Sequence, residues 1–121
     1  MDVRIKRAYE PADAADGYRV LIDRLWPRGV TKSEASIDEW RHELAPSGDL
    51  RRWFGHDPTR FVEFRKRYVE ELRERGVMLA DLRLRARAGT LTLVYGARDE
   101  EHNDAVVLRG VLTRGLPRRP G

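Results

Sequence analysis

Apolar and polar positions alternate near both ends of this chain and recur at helical spacing through its middle. Residues 3–7, Val-Arg-Ile-Lys-Arg, alternate apolar and basic, which predicts a short half-buried strand. Pro11 to Gly17 is small, polar and acidic and reads as a loop. Tyr18 to Leu25 predicts a second strand, with Val20, Leu21 and Ile22 buried on both sides. Pro27 and Gly29 stop it, since proline lacks a ladder donor and glycine weakens a strand. Thr90 to Tyr95, Thr-Leu-Thr-Leu-Val-Tyr, is the clearest strand of the chain.

Helices fill the space between. Ser36 and Glu39 have capping-box spacing, and Ile37, Trp40 and Leu44 would then share one face of a helix that Ala45-Pro46 ends. Ser47 starts a short helix through Leu50, Trp53 and Phe54, closed by Gly55. Asp57-Pro58 sets an N-cap and a first-turn proline. Phe61, Phe64, Tyr68 and Leu72 follow at spacings of three, four and four, with Glu63–Arg67 and Glu71–Arg75 pairs opposite, and Gly76 is expected to end that helix. A less patterned helix runs from Val77 to Ala88, and a last one from Asn103 to Leu112. The order predicts an α/β fold: one small domain over residues 1–114, with a short, mostly parallel sheet of about three strands covered by helices, and a frayed tail over 115–121.

Composition narrows the chemistry. The 121 residues contain no cysteine, which excludes disulfides, thiol catalysis and thiolate metal sites and fits a reducing compartment. No stretch approaches the ~20 apolar residues of a membrane span, and Met1-Asp2-Val3-Arg4 opens no apolar signal core. The expectation is a cytoplasmic protein with no membrane partner. Net charge is +4, and arginine supplies 21 of the 24 basic residues. The balance is −2 over residues 1–50, +5 over 51–90 and +1 over 91–121. A basic middle attracts nucleic acid or phosphorylated ligands, although interleaved acids also suit a solvated surface of ion pairs.

In parallel sheets, ligands bind outside the carboxyl ends of the strands. Two loops leave such ends, residues 24–29 and 96–103. If the strands before them run in parallel, the loops meet in one crevice. In the first loop, Arg24 and Arg28 offer forked donors for phosphate or carboxylate, and Trp26 offers a flat apolar wall. The plainer role for Trp26 is core packing, and for the arginines pairing with nearby acids. The second loop has strand–turn–helix geometry but lacks a glycine-rich phosphate signature, and Asp99, Glu100 and Glu101 oppose an anion unless Arg98 and the first-loop arginines outweigh them. His102 with Asp99 fits acid/base work or a divalent cation. Asn103 suits a helix cap or a ligand contact. His56, between Gly55 and Asp57, is a further candidate base or a plain surface residue. His42, His56 and His102 have no zinc-ligand spacing, so no dedicated metal site is predicted. Ser33, Ser36 and Ser47 sit at expected helix starts, which argues against a serine nucleophile.

Arg19-Val-Leu-Ile-Asp-Arg-Leu-Trp-Pro-Arg-Gly29, Asp38-Glu39-Trp40, Trp53-Phe-Gly-His-Asp-Pro58, Phe64-Arg65 with Tyr68, and Tyr95-Gly-Ala-Arg-Asp-Glu-Glu-His-Asn103 together resemble the YeaO-like family of small bacterial proteins of unknown function. The resemblance covers about residues 3 to 112, and Leu-Trp-Pro-Arg-Gly is its most specific segment. It implies a compact α/β domain in the bacterial cytoplasm. The family's recurrent polar positions coincide with Arg24, Arg28, His56, Arg98, Asp99, His102 and Asn103. A longer branch carries cysteines around the segment matching Tyr95 to Asn103, and no thiol role from it transfers to this chain. The resemblance implies no settled activity.

Three functions therefore stand open. One is a ligand-binding domain or enzyme for a small phosphorylated or carboxylated molecule. In it Arg24, Trp26, Arg28, Arg98 and Asn103 hold the ligand, and His102, Asp99 or His56 move protons. The second is a nucleic-acid module using Arg51, Arg52, Arg60, Lys66 and Arg67. The third is a structural or partner-binding domain whose arginines form ion pairs. The cofactor is unknown, and the sequence does not decide whether the protein is an enzyme.

Overall fold

A computed structural model describes residues 1–119. It places four parallel strands in one sheet: β1 (Asp2–Arg7), β2 (Tyr18–Leu21), β3 (Glu39–Trp40) and β4 (Thr90–Tyr95). Their order is β1-β4-β2-β3. The last strand in sequence thus lies in the middle, with Val3 opposite Leu91 on one side and Val20 opposite Leu93 on the other. Five α-helices accompany them: α1 (Lys32–Ala35), α2 (Gly48–Phe54), α3 (Phe61–Leu72), α4 (Gly76–Ala88) and α5 (Asp104–Arg114).

The two-residue period of a strand sends alternate side chains to opposite faces. Val3, Ile5, Tyr18, Val20, Ile22, Leu91, Leu93 and Tyr95 face the main core, where Phe54, Phe61, Phe64, Tyr68, Leu72, Leu79, Leu82 and the apolar residues of α5 meet them. The other face carries a smaller apolar cluster of Ala8, Leu21 and Val94, packed by Trp26 and Ile37. It also buries charge. Arg19 is 3% exposed, donates to Asp16 at 2.6 Å and to the Ala35 carbonyl at 2.8 Å, while Lys6 reaches the same Asp16 at 3.2 Å. A buried guanidinium is tolerable only with such partners. Burial opposes the charged Asp16, but the Asp13 N–H, Lys6 and Arg19 outweigh it and hold the carboxyl below its ordinary range.

Several local expectations hold. The Ser47 hydroxyl accepts from the Leu50 N–H, and Gly55 closes α2 at φ 54°. Asp57 accepts from the Thr59 N–H ahead of a 3-10 turn that leads into α3. Asn103 caps α5 through the Val106 N–H at 3.0 Å.

Others are corrected. The sheet has four strands, not three, and β3 occupies the segment expected to be helical from 37 to 44. Ser36 takes a left-handed conformation (φ 46°) that ends α1, so it cannot also be an extended N-cap. The backbone after it pairs sideways instead: the Asp38 N–H donates to the Arg19 carbonyl and the Arg41 N–H to the Leu21 carbonyl, both at 2.9 Å. The second strand stops at Leu21, four residues early, because the chain bends at Asp23 to engage the neighbouring loop. Gly76 ends no helix. Its αR backbone begins α4 directly after a 3-10 turn at 73–75. The expected tail over 115–121 falls partly, at 120 and 121, outside the described residues. Over 115–119 there is no regular element, yet Arg73 donates to the Pro117 carbonyl at 2.5 Å and Arg119 pairs with Glu70 at 3.1 Å.

Candidate functional site

The parallel pairing of β2 and β4 delivers both strand ends to one rim. Beyond the last ladder bond, from the Ile22 N–H to the Val94 carbonyl at 3.2 Å, Asp23 Oδ2 accepts from the Gly96 N–H at 2.8 Å. This bond ties the two loops together. A Cβ at Gly96 would lie 3.1 Å from Asp23 Oδ2, so any larger residue there presses on this bond. Arg7 at the end of β1 donates to the Ala97 carbonyl at 2.9 Å and steadies the start of the second loop.

A cleft of about 550 Å³ opens over this junction, a size that suits a small molecule. The loop after β2 contributes Asp23, Arg24 and Leu25, and the loop after β4 contributes Gly96, Ala97, Arg98 and Asp99. Ala45, Pro46, Phe54 and Phe64 form apolar walls, Arg51 and His56 come from α2 and its exit, and Asn103 and Asp104 from the start of α5. Phe54 and Phe64 stack with centroids 4.2 Å apart, which makes that wall rigid.

Three arginines line this cleft, Arg24, Arg51 and Arg98, and all three are exposed. Among the described residues none of them forms an ion pair. Arg24 makes one hydrogen bond, to the Pro46 carbonyl at 3.3 Å. Three half-buried aspartates, Asp23, Asp99 and Asp104, share the cleft with these arginines. Burial, then the charge of Asp23 and a hydrogen bond to it, push the Asp104 carboxyl well above its ordinary range. Asp99 behaves oppositely. Hydrogen bonds from the Glu101 N–H (2.9 Å), the His102 ring (2.9 Å) and the His102 N–H (3.0 Å) hold it below the usual carboxylate range.

The residues singled out in the sequence divide in two. Arg24, Arg98, Asp99, His56 and Asn103 line the cleft. His56 has φ 56°, a left-handed backbone that a residue with a Cβ adopts at some cost, and such strain gathers at binding sites. Asn103 is buried; its amide donates to the Asp99 carbonyl at 2.8 Å while it caps α5, so it shapes the loop from within. Trp26, Arg28 and His102 lie outside the lining. The Trp26 ring packs on the opposite sheet face, edge-on to Trp40 at 5.6 Å, with its N–H on the Val30 carbonyl at 2.7 Å. Arg28 is exposed, and only its carbonyl is engaged, by the Tyr9 hydroxyl at 3.0 Å. His102 reaches the cleft only through Asp99, its ring edge-on to Phe61 at 5.1 Å.

Sequence reasoning passed over Asp23 and Asp104 as site residues and assigned Arg51 to a nucleic-acid face rather than to this cleft. The positions of the two aspartates were a usable signal, since one follows a parallel strand and the other opens the helix after its neighbour. Among the described residues, no three histidine or acidic side chains converge as a metal site, and no helix is long and apolar enough to cross a membrane.

A family model described as the inactive DUF488-N3 subclade matches residues 2–120. The chain is 42% identical over 111 residues to the uncharacterised protein YeaO of Escherichia coli K12, covering 89% of this chain and 94% of YeaO. It is also 42% identical over 110 residues to the uncharacterised proteins Rv3073c of Mycobacterium tuberculosis and Mb3100c of Mycobacterium bovis, covering 91% of this chain and 92% of each relative. No solved structure matches.

Proposed function

The chain belongs to the YeaO-like family of bacterial proteins, in the inactive DUF488-N3 subclade, and we propose that it binds a small anionic molecule, phosphorylated or carboxylated, in the cleft between the loops after β2 and β4. One observation carries this reading: Arg24, Arg51 and Arg98 line one cleft without acid partners among the described residues. An arginine placed only for stability gains little from exposure without a partner. Arginine forks match the oxygens of phosphate and carboxylate, and the apolar walls add contact for a carbon skeleton.

The family's description as inactive favours binding without turnover. Asp99 and His102 remain the pair that would move a proton if the ligand is a substrate. The basic middle gives a nucleic-acid reading less support. Arg52 pairs with Asp49, Arg60 with Asp57 and Arg67 with Glu63, and Arg67 and Arg60 already stack over Trp53 at 4.2 and 5.4 Å. A cytoplasmic setting suits a cysteine-free chain and a small metabolite.

The test is thermal shift against inorganic phosphate, sugar phosphates, nucleoside monophosphates and dicarboxylates. A ligand present at about a hundredfold above its Kd adds about 2.7 kcal/mol, a rise of about 10 °C for a domain of this size. The rise should shrink in Arg51→Ala and Arg98→Ala. A panel that leaves the melting temperature unmoved contradicts the proposal.

A further inference from the structure

The cleft carries charges of both signs at different depths. Arg24, Arg51 and Arg98 are exposed at its rim, whereas Asp23 and Asp104 are half-buried. Each aspartate spends one oxygen on the backbone: Asp23 Oδ2 on the Gly96 N–H and Asp104 Oδ1 on the Ala105 N–H at 2.9 Å. The other oxygen of each has no N–H partner among the described residues.

Two half-buried carboxyl groups sharing one cleft cannot both ionise cheaply unless a cation joins them. None is supplied from within. The groups around the pair are Tyr68 from α3, Arg24 before α2, Arg51 and His56 from α2 and its exit, and Arg98 and Asp99 from the loop after β4. The buried Tyr68 hydroxyl donates elsewhere, to the Leu44 carbonyl at 2.6 Å. Among the described residues neither Asp23 nor Asp104 forms an ion pair, although three arginines share their cleft. Two carboxylates are also fewer than the three or more ligands a protein-held divalent ion takes.

Building on the anion-binding reading, we infer that the cleft takes a zwitterion, whose phosphate or carboxylate lies against Arg24, Arg51 and Arg98 while its primary ammonium group seats on the Asp23–Asp104 pair. The ammonium has three donors and suits the two free carboxylate oxygens. Its charge offsets the repulsion that raises the Asp104 proton affinity, so binding favours release of a proton from that group. An anion without an amine gains the rim but leaves the pair as it was.

Isothermal titration of the full chain with O-phosphoethanolamine and with ethyl phosphate separates the two readings. The work uses two buffers of different ionisation enthalpy, neither of them an amine that mimics the ligand. O-Phosphoethanolamine is expected to bind about tenfold tighter or more, the effect of one added charge-assisted hydrogen bond. Its enthalpy should depend on the buffer in the sense of proton release. In Asp104→Asn and Asp23→Asn, which keep an oxygen for the Ala105 or Gly96 N–H, the two ligands should bind alike. Equal binding of both to the wild type, or a preference that survives in both variants, overturns the inference and leaves the anion-binding reading standing. Binding of neither overturns both.

Discussion

Replacing Gly17 with alanine tests the seam that sets the two loops side by side. Gly17 has φ 64° and ψ −130°, a combination that side-chain-bearing residues avoid, and it enters β2 against the backbone of β4. A Cβ at this position would lie 2.3 Å from the Thr90 carbonyl oxygen and 2.9 Å from Thr90 Cβ. The backbone conformation costs about 1–3 kcal/mol. Relieving the clash moves main chain rather than a flexible side chain, for about 1–3 kcal/mol more. The sum, about 2–6 kcal/mol, is a large share of the 5–15 kcal/mol that typically holds a domain together. With about 2.1 cal/mol/K of unfolding entropy per residue, the melting temperature should fall by about 8–24 °C. Gly29→Ala is the control. It has φ 80° but nothing within 4 Å of the added Cβ, so only the conformational part, about 1–2 kcal/mol and about 4–8 °C, applies. Thermal unfolding by circular dichroism of both variants decides. A Gly17→Ala protein no less stable than Gly29→Ala would refute the close packing of this turn on β4.

Three other substitutions probe charge. Asp104 holds its proton more tightly folded than unfolded, so folded protein binds more protons and wild-type stability falls as pH rises above about 3.9 through the raised folded value; Asp104→Asn should remove that decline, seen as a gain over wild type in melting temperature that grows as pH rises above that point. Asp16→Ala leaves the buried Arg19 guanidinium with only carbonyl partners and should cost about 3–5 kcal/mol in denaturant unfolding. Because Asp16 titrates below its unfolded value, its contribution is present above about pH 3.9 and is lost as pH falls further, so the wild-type advantage over this variant should shrink in acid. Arg51→Ala removes an exposed group without an ion pair and should change stability by no more than about 0.5 kcal/mol, while weakening anion binding in the same thermal-shift assay.

The elements legible in the chain were those fixed locally. Thr90–Tyr95 alternates as a strand whatever surrounds it, and Ser47, Asp57 and Asn103 cap helices by bonds spanning two or three residues. The failures came where partners distant in sequence decide. Glu39–Trp40 pairs with β2 because Arg19 and Leu21 offer carbonyls there, and no periodicity exists in two residues. Gly76, a common helix stop, lies in ordinary helical backbone because Leu79 and Leu82 are drawn into the core. The meeting of the two loops followed from the parallel topology. The contents of the cleft did not, since Arg51 reaches it only through the placing of α2, and Asp23 and Asp104 show their unusual character only once folding brings them together. Trp26, prominent in the sequence, turned out to face the second sheet layer.

The account rests on the arginine-rimmed cleft as the place where an anion binds, and amide-resolved NMR titration of the labelled protein with ethyl phosphate tests that most directly. The predicted result is saturable shifts confined to Asp23–Leu25, Arg51–His56 and Gly96–Asp104, lost in Arg51→Ala. Shifts spread along α3 and α4 instead, or no saturable shifts, would contradict it.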